Sequence, residues 1–295
     1  MDQVSLDTLN SLDKAGFVAA LGDIFEHSPW VAEAALAAQP FASLAALYAA
    51  MQDAVRKAGD EKQLVLINAH PDLAGKAARA GALTADSTAE QASVGLDRLP
   101  DDEYEKFHRL NDAYKAKFGI PFIVCVRRHS KDSILRDFER RLAHDQTGER
   151  ATALGEIFRI VALRLDQRVA APDTLKVHGR LSTHVLDNLV GKPALGMALE
   201  LYEITASGAT GLLARGVTNA DGRTDAPLIG EKPVPVGTYE LRFWVGDYYA
   251  RASVQQADPP FLGVVPLRFS VAEPEGHYHV PLLCTPWSYS TYRGS

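Results

Sequence analysis

The stretch LGEIFRIVALRLDQRVAAPD, residues 154–173, decides how this chain folds. Leu154, Ile157, Phe158, Val161 and Leu165 recur at helical spacing and form one apolar stripe, the mark of a helix packed on a core. The stripe stops at Ala171-Pro172-Asp173, where proline cannot continue a helix. Upstream the same period returns in Phe17, Val18, Leu21, Ile24 and Phe25, behind Ser11 and Asp13 as capping residues, and in Phe107, Leu110, Tyr114 and Phe118. Downstream the period falls to two. Tyr239, Leu241, Phe243 and Val245 share one strand face against Glu240, Arg242 and Trp244, and Val265, Leu267, Phe269 and Val271 form another alternating run. Leu199 and Leu201 alternate with Glu200 and Tyr202, while Asp221-Gly222 and Val236-Gly237 mark turns. The chain is therefore expected to be multidomain α and β. An N-terminal all-α helical bundle spans 1–170, a linker 171–178, and a C-terminal β-sandwich with one short helix 179–295.

Composition sets outer limits. With 295 residues, two domains are the natural expectation, and 46% hydrophobic with 23% charged residues is the balance of a globular protein. The net charge of −6 leaves no excess of Lys and Arg to neutralise phosphates, so nucleic acid is not an expected partner. Small molecules or further copies of the chain are. Cys125 and Cys284 stand far apart and outside any CxxC pair, which reads as two buried thiols in a reducing compartment. The acidic start Met-Asp-Gln-Val-Ser-Leu-Asp lacks the features of a signal peptide, and no apolar run approaches the ~18 residues of a membrane span. A cytoplasmic protein with no membrane partner is expected.

Three polar clusters stand out in the helical half. In NAHPDLAGK (68–76), His70 follows an apolar run and precedes Pro71, which biases it out of helical geometry; such a His can act as acid or base near neutral pH. In STAEQ (87–91), Ser87 followed by Glu90 has the spacing of a capping box. In KFGIPFIV (117–124), Gly119 and Pro121 break a helix ahead of an apolar extended segment.

Taken together, HPDLAGK, SxxEQ, LNxxYxxKFGIPFIV and EIxRIxxxRL resemble, in order and spacing, the 2-oxo-4-hydroxy-4-carboxy-5-ureidoimidazoline (OHCU) decarboxylases of urate breakdown, over roughly residues 10–170. The resemblance implies an all-α fold and cofactor-free decarboxylation to (S)-allantoin. It places the catalytic acid on His70, with Glu90 and Arg164 as catalytic partners and Arg159 as the alternative arginine. Substrate contacts fall on Pro71, Ser87, Gln91 and the segment Ile120, Pro121, Phe122, Ile123 and Val124. Ile120 stands where the family commonly has Phe. The residue types suit the chemistry. Loss of CO₂ leaves an electron pair that a His can protonate on one face, while a carboxylate orients that His or a ring N–H. Arg is a natural partner for a carboxylate.

The sandwich half offers His184, Arg223 in NADGRT (219–224), and His277-Tyr278-His279, where alternate strand positions point both imidazoles the same way. An HxH pair with a distant His is also a zinc pattern. The end of the chain, HYHVPLL followed by YSTYRGS, resembles the transthyretin-related 5-hydroxyisourate (HIU) hydrolases from about Gly179 to Ser295, with Cys284-Thr285 replacing the commoner Leu-Ser. That resemblance implies a transthyretin-like sandwich, a tetramer with sites at a dimer–dimer interface, and no metal. It places catalytic roles on His184, Arg223, His279 and Ser295, and a substrate contact on Tyr292. Either His279 or His184 would activate water, and Arg223 would stabilise the oxyanion. A ligand carrier like transthyretin would need no such polar set. The combined expectation is a fusion running two consecutive steps, HIU to OHCU to (S)-allantoin, with no cofactor. The assembly would be a homo-oligomer, tetrameric through the sandwich and with dimer contacts through the helical domain.

Overall fold

The computed structural model describes residues 3–75, 78 and 81–294. Contacts divide the chain into two compact units. One runs to Arg127 and resumes at Ser133–Val177; the other comprises Arg128–Asp132 and the chain from His178.

The first unit is built from helices α1 (Leu6–Ser11), α2 (Lys14–Leu21), α3 (Trp30–Ala35), α4 (Leu44–Lys57), α5 (Gly59–Asn68), α6 (Ala85–Ala92), α7 (Asp101–Phe118), α8 (Lys131–Arg141) and α9 (Gln146–Arg168). Short polar side chains start several of them. Asp13 Oδ1 accepts from Gly16 N–H, Ser43 Oγ from Ala46, and Asp145 Oδ1 from Gly148, each giving an acceptor to an amide that the first helical turn leaves free. Asp13 therefore caps α2. That helix ends at Leu21, so Ile24 and Phe25 reach the core from the loop beyond it.

The α6 start departs from the capping-box expectation. Its cap is Thr84, whose hydroxyl accepts from Ser87 N–H, and Ser87 and Glu90 lie inside the helix with both side chains turned to tertiary partners. The unit is also not purely helical. Strand β1 (Val4–Ser5) pairs in parallel with β2 (Val169–Ala170), directly after α9. Most of the expected core stripes are buried: Phe107, Tyr114, Ile157 and Leu165 are fully inside and Phe118 nearly so, whereas Val18, Leu110, Leu154 and Phe158 are half-buried at the edge. The residues after Pro172 pack on this unit as well. Asp173 accepts from the Leu44 and Ala45 amides at the start of α4, and Leu175 and Val177 join the core.

The second unit contains strands β3 (Gly179–Ser182), β4 (Val185–Asp187), β5 (Lys192–Pro193), β6 (Ala198–Ile204), β7 (Thr210–Val217), β8 (Ile229–Lys232), β9 (Gly237–Trp244), helix α10 (Val245–Arg251), and strands β10 (Val264–Val271), β11 (His277–His279), β12 (Leu282–Cys284) and β13 (Tyr289–Ser290). One antiparallel sheet has the order β10-β9-β6-β7; the others run β11-β3-β8 and β13-β12-β4-β5. Leu199 pairs with Phe243 and Leu201 with Leu241, and these meet Leu181 and Val185 of the facing strands in one core. The alternating run of β9 ends at Trp244, one residue before the expected Val245. Helix α10 begins there, and its Gly246 lies close to the Leu262 carbonyl and Gly263, where a Cβ would come within about 3 Å. The segment Arg128–Asp132 belongs to this unit. Val236 N–H donates to the Arg128 carbonyl, Ser130 N–H to that of Val236, and Arg128 grips Glu275 with two hydrogen bonds of 2.6 and 2.8 Å.

β11 pairs in parallel with β3. Its register sets His277 beside Arg180 and His279 beside Ser182.

Candidate active sites

In the helical unit, α5 ends at Asn68 and delivers His70 just beyond its last turn. The ring is 9% exposed, and its Nδ1 lies 2.9 Å from the Leu66 carbonyl. Since a carbonyl only accepts, Nδ1 carries the proton, and Nε2 of the neutral ring is a lone pair. Burial pushes the imidazole down to about 4; the Leu66 hydrogen bond and the Glu26 charge pull it back up, against Arg164 and His27.

Helical spacing sets Ser87, Glu90 and Gln91 on one face of α6. Ser87 Oγ donates to Glu26 Oε2 at 3.1 Å. Glu90 accepts from Arg164 Nε and Nη2, both at 2.8 Å. Gln91 braces the loop after His70: its Oε1 accepts from Ala74 N–H at 2.9 Å, and its Nε2 donates to the Asp72 carbonyl at 3.4 Å.

Gly119, in the left-handed region at φ 69°, stops α7 and releases the extended segment that follows. Two side chains grip this segment by its backbone. Arg141 Nη1 donates to the Ile123 carbonyl at 2.6 Å, and Glu156 Oε2 accepts from Cys125 N–H at 2.8 Å. Arg141 is fully buried and paired with the equally buried Glu149, to which Tyr114 also donates.

The structure brings His70, Pro71, Ser87, Glu90, Gln91, Phe122, Ile123, Val124 and Arg164 onto one small cavity, completed by Leu73, Val126 and Ile160. Ile120 and Pro121 are buried without lining it. Arg159 pairs with Glu156 and lies outside the lining. Glu90 and Arg164 also face an outer cavity of about 620 Å³. Sequence reasoning missed Glu26, which is 2% exposed and bonded to Thr84, Ser87 and Arg164. Its signal was a lone carboxylate directly after the apolar pair Ile24-Phe25, where a buried charge requires partners.

In the second unit, His184, Arg223 and His279 come together. The two imidazole rings lie 6.4 Å apart between centroids, and both feel the Arg223 cation. Burial, followed by that cation, holds both below the usual histidine range. His184 Nε2 is buried and has no hydrogen-bond partner among the described residues. Arg223 is exposed on a turn closed by Asn219, which accepts from its amide at 3.2 Å. The turn depends on Gly222, at φ +71°. A Cβ there would lie 2.3 Å from the Val185 carbonyl and 3.1 Å from the His184 ring.

Ser182 Oγ lies 3.0 Å from His279 Nδ1 and 3.2 Å from His277 Nε2, so one hydroxyl ties the HxH pair together. Ser182 was not foreseen, because its partners are 95 and 97 residues away. Among the described residues no three of His, Cys, Asp and Glu are grouped to hold a metal ion. The end of the chain folds back onto the same place. Gly294 N–H donates to the His279 carbonyl at 2.9 Å, and a Cβ on Gly294 would come within 2.6 Å of the His279 ring. Tyr292 is 58% exposed, and Ser295 lies outside the described residues.

Two family models match successive parts of the chain. The family model described as OHCU decarboxylase matches residues 10–166, and the HIUase/Transthyretin family model matches 181–294. A 2-oxo-4-hydroxy-4-carboxy-5-ureidoimidazoline decarboxylase of Halalkalicoccus jeotgali is 44% identical over 173 residues, covering 59% of this chain and 96% of the relative. A 5-hydroxyisourate hydrolase of Deinococcus radiodurans is 57% identical over 118 residues, covering 40% of this chain and 98% of the relative. The crystal structure of an (S)-allantoin synthase is 36% identical, with a TM-score of 0.53 over 99% of this chain and 100% of its own. The chain thus belongs to the OHCU decarboxylase family in its helical unit and to the HIUase/transthyretin family in its β unit.

Proposed function

We propose that this chain degrades urate-derived rings in two steps, hydrolysing 5-hydroxyisourate to OHCU at His184, Arg223 and His279 and decarboxylating OHCU to (S)-allantoin at His70 and Glu90. The observation that carries this reading is the convergence of separate sequence motifs, within each unit, on one cluster of side chains suited to that step. The corresponding assignment of the chain is residues 1–170 to decarboxylation, 171–178 to the connection and 179–295 to hydrolysis.

In the hydrolytic step, water adds to the acyl carbon, the ring C–N bond breaks, and the water proton passes through a histidine to the leaving nitrogen. His184 or His279 suits this role because both are held neutral, and Arg223 supplies the positive charge for the oxyanion. Tyr292 is assigned a substrate contact and Ser295 a catalytic role. In the second step the C–C bond to the carboxylate breaks and its electron pair enters the conjugated imine. His70 Nε2 then delivers a proton to one face of the ring carbon. Free His70 is neutral at pH 7, so it must acquire that proton as the anionic substrate enters and raises its proton affinity. Pro71, Ser87, Gln91 and the backbone of 120–124 surround the ring. No cofactor enters either step.

Exposed apolar side chains on the β unit, including Leu212 and Leu213 on edge strand β7 and Trp287 and Tyr292 near the end, support a homo-oligomer. A tetramer through the sandwich with dimer contacts through the helical unit, in the cytoplasm, is the proposed state. The testing experiment supplies enzymatically generated 5-hydroxyisourate and follows its absorbance together with circular dichroism. Rapid loss of 5-hydroxyisourate and optically pure (S)-allantoin are expected; decay at the spontaneous rate to a racemic product would overturn the proposal.

A further inference from the structure

Glu26 is a buried carboxylate that the two-step reading leaves without a role. It reaches its place from the loop after α2 and is 2% exposed. Its oxygens are divided between elements. Oε1 accepts from the Thr84 hydroxyl at 2.6 Å; Oε2 accepts from the Ser87 hydroxyl at 3.1 Å and from Arg164 Nη1 at 3.2 Å. The start of α6 is thereby tied to the C-terminal end of α9 through one charge.

We propose that Glu26 is a positioning residue of the decarboxylase site, which turns Ser87 into a pure acceptor, commits Arg164 to Glu90, and sets a negative charge behind the wall that Ser87 and Arg164 share with His70. The inference rests on the decarboxylase reading given above. Three physical points carry it. A serine hydroxyl has one proton and two lone pairs. With the proton donated to Glu26, Ser87 offers the cavity only lone pairs, so it selects a ligand with an N–H at that position, as the ring or ureido nitrogens of a cyclic ureide provide. Arg164 is likewise spoken for. Nε and Nη2 bond Glu90, and Nη1 bonds Glu26 and the Ile24 carbonyl. This guanidinium is no open fork for a substrate carboxylate; it orients Glu90 instead.

The third point is charge. The groups acting on His70 are Glu26, Arg164 and His27, with Glu90 lining the same cavity. Arg164 and His27 work against an imidazolium, whereas Glu26 favours it. Removal of the Glu26 charge therefore makes the imidazolium harder to form.

The experiment compares the full-length protein with Glu26→Gln and Glu26→Asp, using OHCU generated in situ and circular dichroism of (S)-allantoin across pH. If protonated His70 is the acid, activity falls on the alkaline side as its proton is lost. For Glu26→Gln we expect at least a tenfold lower kcat at pH 7, and an alkaline limb displaced to lower pH by about one unit. Glu26→Asp, which keeps the charge, should restore the position of the limb. Should Glu26→Gln fail to fold, Glu26→Asp and Thr84→Val are compared instead. Both keep the charge, so both should leave the limb in place, and a displaced limb in either overturns the proposal. A limb unmoved in folded Glu26→Gln overturns it too, because a purely structural carboxylate would alter only the amount of active protein. A wild-type chain with no acceleration of (S)-allantoin formation would instead defeat the decarboxylase reading itself.

Discussion

Arg164 holds Glu90 by two parallel hydrogen bonds of 2.8 Å, Nε to Oε1 and Nη2 to Oε2, across 74 residues of sequence. This fork fixes a carboxylate on the wall of the cavity that His70 lines, and its geometry cannot be reproduced by the single ammonium of lysine. Arg164→Lys should therefore keep the positive charge but release Glu90, lowering decarboxylation on the order of 10²-fold. Hydrolysis of 5-hydroxyisourate should be unchanged. Following both reactions on one sample tests this; a parallel loss of the two activities would show that the substitution had damaged the whole chain.

His70 ties stability to pH. In the folded protein burial pushes it down to about 4, from an ordinary value near 6.5. Its contribution is therefore complete above pH 6.5 and fades as pH falls toward 4, because the unfolded chain takes up the proton first. The full difference is worth about 3 kcal/mol, of which about 2 kcal/mol is gone by pH 5. Urea unfolding of the helical unit at pH 7 and pH 5 should show a smaller acid loss in His70→Asn than in the wild type. The same variant should abolish accelerated formation of (S)-allantoin.

Arg223 acts on both His184 and His279. Its cation helps to hold His184 and His279 below the usual range, so hydrolysis should persist below pH 6.5 before its acid limb is reached. Arg223→Gln removes that repulsion, so both histidines should protonate more easily and the acid limb should move to higher pH. Loss of the oxyanion partner should also lower kcat by about 10²–10³-fold. A pH–rate profile of 5-hydroxyisourate consumption checks both effects.

Ser182 holds the His279 ring through Nδ1 at 3.0 Å. Ser182→Ala should lower kcat/KM for hydrolysis by about fivefold to tenfold, in line with one lost hydrogen bond, while Ser182→Thr should retain most of it. Equal rates for the Ala and Thr variants would show that the hydroxyl does not orient the ring.

Periodicity and motif order carried much of this protein into view. The change from a helical stripe to alternation around Pro172 marks two unlike parts, because each period exposes one face that must be buried. The spacing of Ser87, Glu90 and Gln91 likewise sets them on one side of a helix, since a single turn is a local matter. The capping box at the same residues failed for a related reason. Thr84 competes for the helix start, and Glu26 and Arg164 draw Ser87 and Glu90 inward.

What stayed illegible were pairings between distant segments. Glu26 with Ser87, Ser182 with His279, and Arg141 with the Ile123 carbonyl join residues that share no periodicity. Sequence alone determined where the helical and the alternating periods lie and in what order the polar motifs follow, because backbone preference and amphipathic pattern are local. Only the tertiary structure decided that Arg164 is committed to Glu90 and that Gly294 closes on the His279 ring. Those outcomes depend on where buried charges find partners and how closely backbones can approach.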